Sequence, residues 1–159
     1  MVKYLYMLDR RALERWGFPV TNDSYDALEN GPVPSRVHDL VVGDEQENLW
    51  SEYFSRDESA DVVRLEKSDP DFGFLSEAEM GLVKEISEEY NGKSNDELRG
   101  IFHDLPEYKD PGEVERVRIR FEELMEYIIS DPVQRKTVID ELEYEGYFEG
   151  LLQTYSSSR

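Results

Sequence analysis

The residues best suited to acid–base or nucleophilic catalysis are few in this sequence. It contains no cysteine and only two histidines, His38 and His103. His103 and Asp104 are adjacent and have the chemistry of half an acid–base pair, but a histidine near the end of a helix is more commonly a cap or packing residue. No serine lies in a nucleophile-elbow motif, and the sequence has no glycine-rich phosphate-binding loop. We therefore predict no catalytic residue, no cofactor site and no enzymatic activity.

A group of carboxylates is the pattern that comes nearest to a metal site. Asp69, Asp71, Glu77 and Glu79 lie close together in the sequence, and calcium prefers oxygen ligands. The glycine and the ligand spacing of an EF-hand loop are missing, so a solvated acidic loop is the better interpretation. The absence of cysteine also excludes thiolate metal sites and disulfides. The sequence therefore predicts no metal site.

The net charge is the most unusual property of the chain. Its 159 residues include 37 Asp and Glu against 18 Lys and Arg, which gives a formal net charge of −19 at pH 7. The excess lies after residue 36, because residues 1–36 contain five acidic and five basic residues. Such a field repels nucleic acid and anionic membranes and attracts basic partners. We expect a protein partner, with no direct binding to nucleic acid or membrane.

The length and the hydropathy pattern predict a cytoplasmic protein with one domain. The sequence has no run of about 18 apolar residues that would span a membrane, and no signal-peptide pattern at its start. The length of 159 residues suits a single domain, which we place at residues 1–155. The serine-rich residues 156–159 are expected to be a disordered tail.

An aromatic cluster within the acidic residues 43–61 is the first candidate for a partner-binding surface. Trp50, Tyr53 and Phe54, together with Leu49, have the spacing of an amphipathic helix. Such a face either packs on the core or, where it is exposed and surrounded by acids, marks a binding site. The sequence leaves both interpretations open.

An uncompensated acidic stretch near the C-terminus is the second candidate. Residues 137–158 contain five acids and no base, and Glu141, Glu145 and Glu149 share one helical spacing. A helical face without interleaved lysines repels itself, which costs stability. Solubility and a basic partner are the two explanations that the sequence allows.

Apolar periodicity predicts a mainly helical fold around these candidates. Capping boxes of Ser76 with Glu79 and of Ser94 with Glu97 each begin a helix. In the first of these, Met80, Val83, Ile86 and Tyr90 are expected to face the core. Further helices are expected over 2–16 and 36–42, along the stripe Val117, Phe121, Leu124 and Ile128, and after the Asp131-Pro132 cap, with a break at Gly146.

The stiffest segment is Gly31-Pro32-Val33-Pro34-Ser35, which predicts a corner between elements. Glycine permits a left-handed backbone, the prolines fix φ on both sides of Val33, and Ser35 is suited to cap the next helix. An extended piece around Tyr25 precedes it, and we expect this piece to pair with Val62–Glu66. The predicted fold is thus mainly α, a compact helical domain with a small two-stranded antiparallel β element.

Several segments together resemble the Panacea domain of SocA-like antitoxins. Residues 25–40 resemble its signature "Y-x-A-x-x-x-G-P-V-P-S-x-V-x-D-L", and residues 3–10 resemble "K-L-L-Y-L-A-D-R". Residues 17–25, 103–108 and 119–124 are similar to "G-R-P-I-T-G-D-x-Y", "H-D-x-P-E-W" and "I-S-Y-E-D-I-L" in the same order. Members of the family usually have another helix before the first of these segments.

The resemblance implies structural roles for the residues that match these motifs. They are Asp9, Arg10, Tyr25, Gly31, Pro32, Val33, Pro34, Ser35, His103 and Asp104. It also implies an interaction protein that neutralises a co-encoded toxin, either by blocking it or by delivering it for degradation. Such antitoxins are common on phages and other mobile elements and pair with unrelated toxins.

The acidity supports an alternative of another class. Duplex DNA carries one phosphate charge per about 1.7 Å of helix axis, and helices lined with carboxylates approach that density. A phage or mobile-element protein of this kind would inhibit a host defence enzyme, such as a CRISPR or other anti-phage nuclease, by imitating nucleic acid. Its partner would be a basic nucleic-acid-binding enzyme rather than a toxin.

Overall fold

A computed structural model describes residues 2–42, 50–57, 62–66 and 73–156. The helices are α1 (Val2–Trp16), α2 (Ser35–Val42), α3 (Trp50–Tyr53), α4 (Glu77–Tyr90), α5 (Asn95–His103), α6 (Phe121–Ile128) and α7 (Pro132–Ser156). The strands are β1 (Tyr25–Leu28), β2 (Gly31–Pro34), β3 (Phe54–Asp57), β4 (Val62–Leu65) and β5 (Val117–Ile119). The prediction of a mainly α fold with small antiparallel elements is confirmed. Asp69, Asp71 and residues 157–159 of the predicted tail lie outside the described residues, whereas Ser156 ends α7.

The helix boundaries follow local signals in the sequence. Both capping boxes form, because the Ser76 and Ser94 hydroxyls accept from the amides of Glu79 and Glu97 while those carboxylates accept from the serine amides. Helix α1 ends where Gly17 adopts a φ of +81°. Asp131 caps α7 by accepting from the amides of residues 133 and 134 at 2.8 and 2.9 Å. These signals involve neighbours in the chain, which is why the sequence alone reveals them.

The strands form two antiparallel sheets, and this corrects the predicted strand pairing. A three-stranded sheet has the order β2-β1-β5, with Tyr25 opposite both Pro34 and Ile119. A separate two-stranded sheet pairs β3 with β4. The predicted pairing of the Tyr25 piece with Val62–Glu66 is wrong, because β2 and β5 occupy both edges of β1 and the 62–65 strand pairs with β3. A short connection lowers the entropy cost of pairing β1 with β2 and β3 with β4, whereas β5 reaches β1 from the far end of the chain.

Three further predictions about helices are also corrected. Residues 117–119 are strand β5 rather than helix, since Val117 and Ile119 alternate with arginines, and α6 begins only at Phe121. Helix α7 continues through Gly146, because one glycine costs a helix only about 1 kcal/mol. In α4 the buried face is formed by Leu82, Ile86 and Tyr90, so the expected positions 80 and 83 are largely exposed.

The core lies between α1 and the helices and strands that surround it. Its buried members include Tyr6, Leu13, Phe102, Leu124 and Met125. Aromatic rings pack against one another in this core. The ring centroids of Tyr6 and Tyr25 lie 5.3 Å apart in an edge-to-face arrangement, and those of Tyr90 and Phe102 lie 5.9 Å apart. Exposed ion pairs between α1 and α4, such as Arg15 with Glu85 at 2.5 Å, flank this core.

Candidate functional site

Asp9 joins α1 to the chain that leads into β1. Its side chain is fully buried, and its Oδ1 accepts from the amides of Val20 and Thr21 at 2.9 and 2.8 Å. Its Oδ2 accepts from the Thr21 hydroxyl and from the Tyr25 hydroxyl, the latter at 3.2 Å. Burial raises the pKa of Asp9 above its ordinary value, although the hydrogen bonds from Thr21, Val20 and Tyr25 oppose this shift. Both oxygens of the carboxylate thus accept hydrogen bonds, from two backbone amides and two hydroxyls.

Glu107 forms a second buried network with α1. The residue is 3% exposed, and its Oε1 accepts from the Tyr6 hydroxyl at 2.8 Å and from Arg10 Nε at 2.7 Å. Burial and the nearby Glu107 carboxylate raise the pKa of Tyr6 well above its usual value. Arg10 therefore forms an ion pair with a buried carboxylate that lies 97 residues later in the chain.

The corner after β1 is held by the end of α5. Gly31 has a φ of +120°, and a Cβ at this position would lie 2.8 Å from the Cβ of Phe102. His103 Nε2 lies 2.8 Å from the carbonyl oxygen of Glu29, and its ring stacks on Tyr108 at 4.4 Å. The catalytic alternative for His103 and Asp104 gains no support, because the imidazole contacts a backbone carbonyl and an aromatic ring.

The cap of α2 differs from the prediction. Asp23, not Ser35, accepts from the second and third amides of the helix, those of Arg36 at 3.2 Å and Val37 at 3.0 Å. Ser35 is itself the first residue of the helix, and its hydroxyl accepts from Arg118 Nη1 at 3.2 Å. The expectation that Ser35 caps the helix is wrong because the preceding loop brings a longer, charged acceptor to the same amides.

A third buried carboxylate, Asp26, joins β1 to β5 and α2. It is 2% exposed and pairs with Arg118 Nε at 3.1 Å and Arg116 Nη1 at 3.6 Å. The same Arg116 atom lies 3.0 Å from Asp39 on α2. Sequence analysis missed both Asp26 and Glu107. The alternation of arginine with β-branched residues at positions 116–119 was the signal available for the first of these.

Two surfaces hold the predicted partner-binding residues. The first is the unit of α3, β3 and β4, which we call the arm. Its Tyr53 and Phe54 rings are half-buried with centroids 6.5 Å apart, and Leu65 is 50% exposed. Among the described residues of the arm, none belongs to the core cluster. The Trp50 side chain lies outside the described part.

The second surface is the outer face of α7. Glu141 is exposed, as are the neighbouring Glu143 and Tyr144. Asp140 pairs with Lys136 at 2.8 Å, which compensates one negative charge in the first turns of the helix. The side chains of Glu145 and Glu149 lie outside the described part. The structure therefore does not bring the aromatic and the acidic candidates together into one described site.

A groove separates α7 from the sheet. Its volume is about 380 Å³, and its walls include Ile119 and Phe121 on one side and Ile139 and Leu142 on the other. Arg118 and Arg120 stand at its rim. In the described ranges, His, Asp and Glu side chains do not gather in threes as a metal ion would require. No described helix is both long and apolar enough to cross a bilayer.

A family model described as "Antitoxin SocA-like, Panacea domain" matches residues 1–109. This is more than half of the 159 residues. The chain belongs to the SocA-like Panacea antitoxin family. No curated protein and no solved structure matches the chain.

The Panacea match contains most of the internal network described above. Asp9, Arg10, Tyr25, Gly31 and Glu107 all lie within it, and each contacts an element other than its own. The segment 119–124, whose resemblance to the family was noted above, lies beyond the matched residues, as do α7 and the groove wall that it supplies. The Panacea motifs thus coincide with residues that make contacts inside the fold.

Proposed function

We propose that this Panacea-family chain is an antitoxin that binds and neutralises a co-encoded toxin in the cytoplasm. The family match over residues 1–109 carries the proposal. The geometry supports it, because the charged motif side chains Asp9, Arg10 and Glu107 are used in internal contacts. A domain of this kind acts by presenting a surface, and neutralisation then results from blocking the toxin or delivering it for degradation. We propose no enzymatic activity of its own.

The arm is the surface that we propose for toxin contact. It presents Tyr53 and Phe54 together with the half-exposed Leu65, outside the core cluster, and Trp50 belongs to the same helix. Aromatic side chains that become fully buried dominate interface energies. Removing one of them is therefore expected to weaken the complex, while the Asp9 and Glu107 networks keep the domain folded.

The experiment combines a growth assay with a binding assay. The small protein encoded next to this chain is induced in bacteria with and without the chain, and the two purified proteins are titrated by calorimetry. We expect growth arrest that the chain relieves. We also expect Tyr53→Ala and Phe54→Ala to weaken binding at least about tenfold, or 1.4 kcal/mol. The matched control is Tyr127→Ala, an aromatic on α6 that is 51% exposed. A neighbouring protein that neither arrests growth nor binds would contradict the proposal.

The net charge of −19 favours one second candidate, a nucleic-acid mimic from a phage or mobile element that inhibits a defence nuclease. Charge would then supply most of the affinity. Binding would fall steeply with salt, since the screening length is about 8 Å at physiological ionic strength, and DNA would displace the chain.

A charge variant separates the two candidates. Glu141, Glu145 and Glu149 are changed to Gln together, which leaves the shape of α7 nearly unchanged. For an antitoxin we expect binding to survive this change and to fail in the arm variants. The reverse pattern, with displacement by duplex DNA, would promote the mimic.

A further inference from the structure

The two edges of the three-stranded sheet are unequal, and β2 forms a closed edge. Pro32 and Pro34 stand opposite Ala27 and Tyr25 in the antiparallel register. Proline has no N–H to donate, so these residues occupy the non-hydrogen-bonded pairs and their nitrogen atoms face away from β1. The outer edge of β2 therefore lacks the donors that an added strand needs.

Among the described strands, none pairs with the outer edge of β5. Since Asp26 and Leu28 direct their backbone groups to β2, Tyr25 and Ala27 direct theirs to β5. Their partners there are Ile119 and Val117, so the amide and the carbonyl of Arg118, between them, point away from the sheet. Within the described ranges, no turn or loop backbone group bonds to Arg118. One donor and one acceptor thus remain at this edge.

The groove shares Arg118 and Ile119 with β5 and is also lined by Ser24 and Tyr25 at the start of β1. With a volume of about 380 Å³, it falls in the range of ligand-binding clefts. Ile119 and Phe121 on the strand side face Ile139 and Leu142 of α7. An extended chain paired with β5 would direct every second side chain to one face, where apolar groups would be removed from water.

The charges at the rim indicate what such a segment carries. The side chains of Arg118 and Arg120 are 56% and 67% exposed, in a chain whose net charge is −19. Arg118 pairs with the buried Asp26, and Arg120 lies 3.7 Å from Glu122. Glu143 is a carboxylate on the opposite wall, and Asp23 is already used as the cap of α2. The strand side of the groove therefore suits carboxylates.

We propose that the β5 edge and this groove form a docking site for an extended segment of a partner protein, apolar at its centre and flanked by acidic residues. The segment adds to the sheet beside β5, exchanges hydrogen bonds with the backbone of Arg118 and places an apolar side chain between β5 and α7. Its carboxylates meet Arg118 and Arg120. When a peptide adds to a sheet in this way, main-chain hydrogen bonds provide affinity, and the pockets that receive every second side chain provide specificity. The site is separate from the arm, so it goes beyond the proposed toxin contact.

The test uses synthetic peptides and the amide and methyl NMR spectra of the full chain. The probe is Asp-Val-Ile-Val-Asp with blocked ends. One control replaces both Asp by Lys, and another methylates the three central amide nitrogens. We expect the first peptide to shift the Arg118 amide and the Ile139 and Leu142 methyl signals, with an affinity at least about tenfold above that of either control. Equal affinities, or no shift at these positions, would overturn the proposal.

A charge-reversal pair tests the rim. Arg120→Glu changes an exposed side chain at the groove, and Lys93→Glu makes the same change at the exposed α4–α5 turn. We expect the first to weaken peptide binding about tenfold or more and the second to leave it unchanged. Equal effects would contradict a local role for Arg120.

Two further measurements test whether a second copy of the chain occupies the β5 edge, and whether this proposal can fail separately from the antitoxin function. If the Arg118 signals move with protein concentration alone, the edge is covered by a second copy of the chain and the proposal is wrong. Toxin binding is measured in parallel with Arg120→Glu. If the chain binds toxin but not the peptide, the docking site at the groove is rejected and the antitoxin function is not. If only the arm variants lose toxin binding, the proposed antitoxin function is supported whatever the peptide does.

Discussion

Three buried carboxylates, Asp9, Asp26 and Glu107, each connect two or more elements of the fold. A charge removed from water is costly unless it is paired or hydrogen-bonded. Asp9 is supplied with backbone amides and hydroxyls, whereas Asp26 and Glu107 have arginines. Breaking such a pair is strongly destabilising because it leaves an uncompensated charge. We therefore expect changes at these residues to lower the stability of the fold.

The pair of Arg10 and Glu107 gives a prediction at this scale. Arg10→Ala leaves Glu107 buried without its counter-ion, so we expect a loss of about 3 kcal/mol in the free energy of unfolding. Adding Glu107→Gln removes the orphaned charge and keeps an acceptor for the Tyr6 hydroxyl. Urea denaturation should therefore show the double variant to be more stable than Arg10→Ala alone. Additive losses would mean that the pair is not coupled.

Gly31 gives a second prediction, because both its backbone and its surroundings exclude a side chain. Its φ is +120°, and a Cβ would lie 2.8 Å from that of Phe102. Strain and overpacking together should lower the stability of Gly31→Val by about 2–4 kcal/mol. Gly112→Ala is the control, since Gly112 also has positive φ but open space around it. Thermal melts in which the two variants lose equal stability would refute the contact with Phe102.

At the scale of elements, helices α4 and α5 each begin at a capping box. The hydrogen bonds from the hydroxyl and amide of Ser76 hold the pKa of Glu79 below its usual value, and those from Ser94 do the same for Glu97. A carboxylate whose pKa is lower in the folded state stabilises the fold above its unfolded pKa. That contribution is lost as the pH falls through the folded value.

The caps give a prediction with a defined sign. Ser76→Ala should lower the free energy of unfolding by about 1 kcal/mol at pH 7. Glu79→Gln should also lower the melting temperature at pH 7, and this deficit should shrink as the pH falls below the ordinary glutamate pKa of 4.5. Ser87→Ala, at an exposed position later in α4, is the control. A deficit that grows in acid would contradict the assigned role of the carboxylate.

At the scale of the whole molecule, the net charge of −19 sets a balance between ion pairs and self-repulsion. Exposed pairs such as Arg11 with Glu89 contribute little. A large excess of one sign destabilises the compact state, and salt screens that repulsion. The same excess makes the arginines beside the groove a local exception in the charge distribution.

The molecule should therefore become more stable as salt is added. We expect the melting temperature to rise between about 10 and 300 mM sodium chloride, as the screening length shortens from about 30 Å to below 8 Å. The triple change of Glu141, Glu145 and Glu149 to Gln should raise the melting temperature at low salt and reduce the slope. A melting temperature that falls with salt would show that ion pairs outweigh repulsion.

Features that depend on neighbours in the sequence could be predicted. The two capping boxes, the Asp131 cap and the positive φ of Gly31 all follow from residues within a few positions of one another. The Panacea motifs were readable for the same reason, because each is a short contiguous segment, and the mainly helical fold follows from apolar periodicity.

Features that join distant residues were decided only by the tertiary structure. The sequence did not indicate that Asp23 rather than Ser35 caps α2, that β1 pairs with β5, or that Glu107 reaches Arg10. Each of these depends on which surfaces the core brings together, and local propensity does not encode that choice. The groove has the same origin, since one wall comes from β5 and the other from α7. The outward direction of the Arg118 backbone groups also has this origin, since it follows from the registers of β1 against β2 and β5.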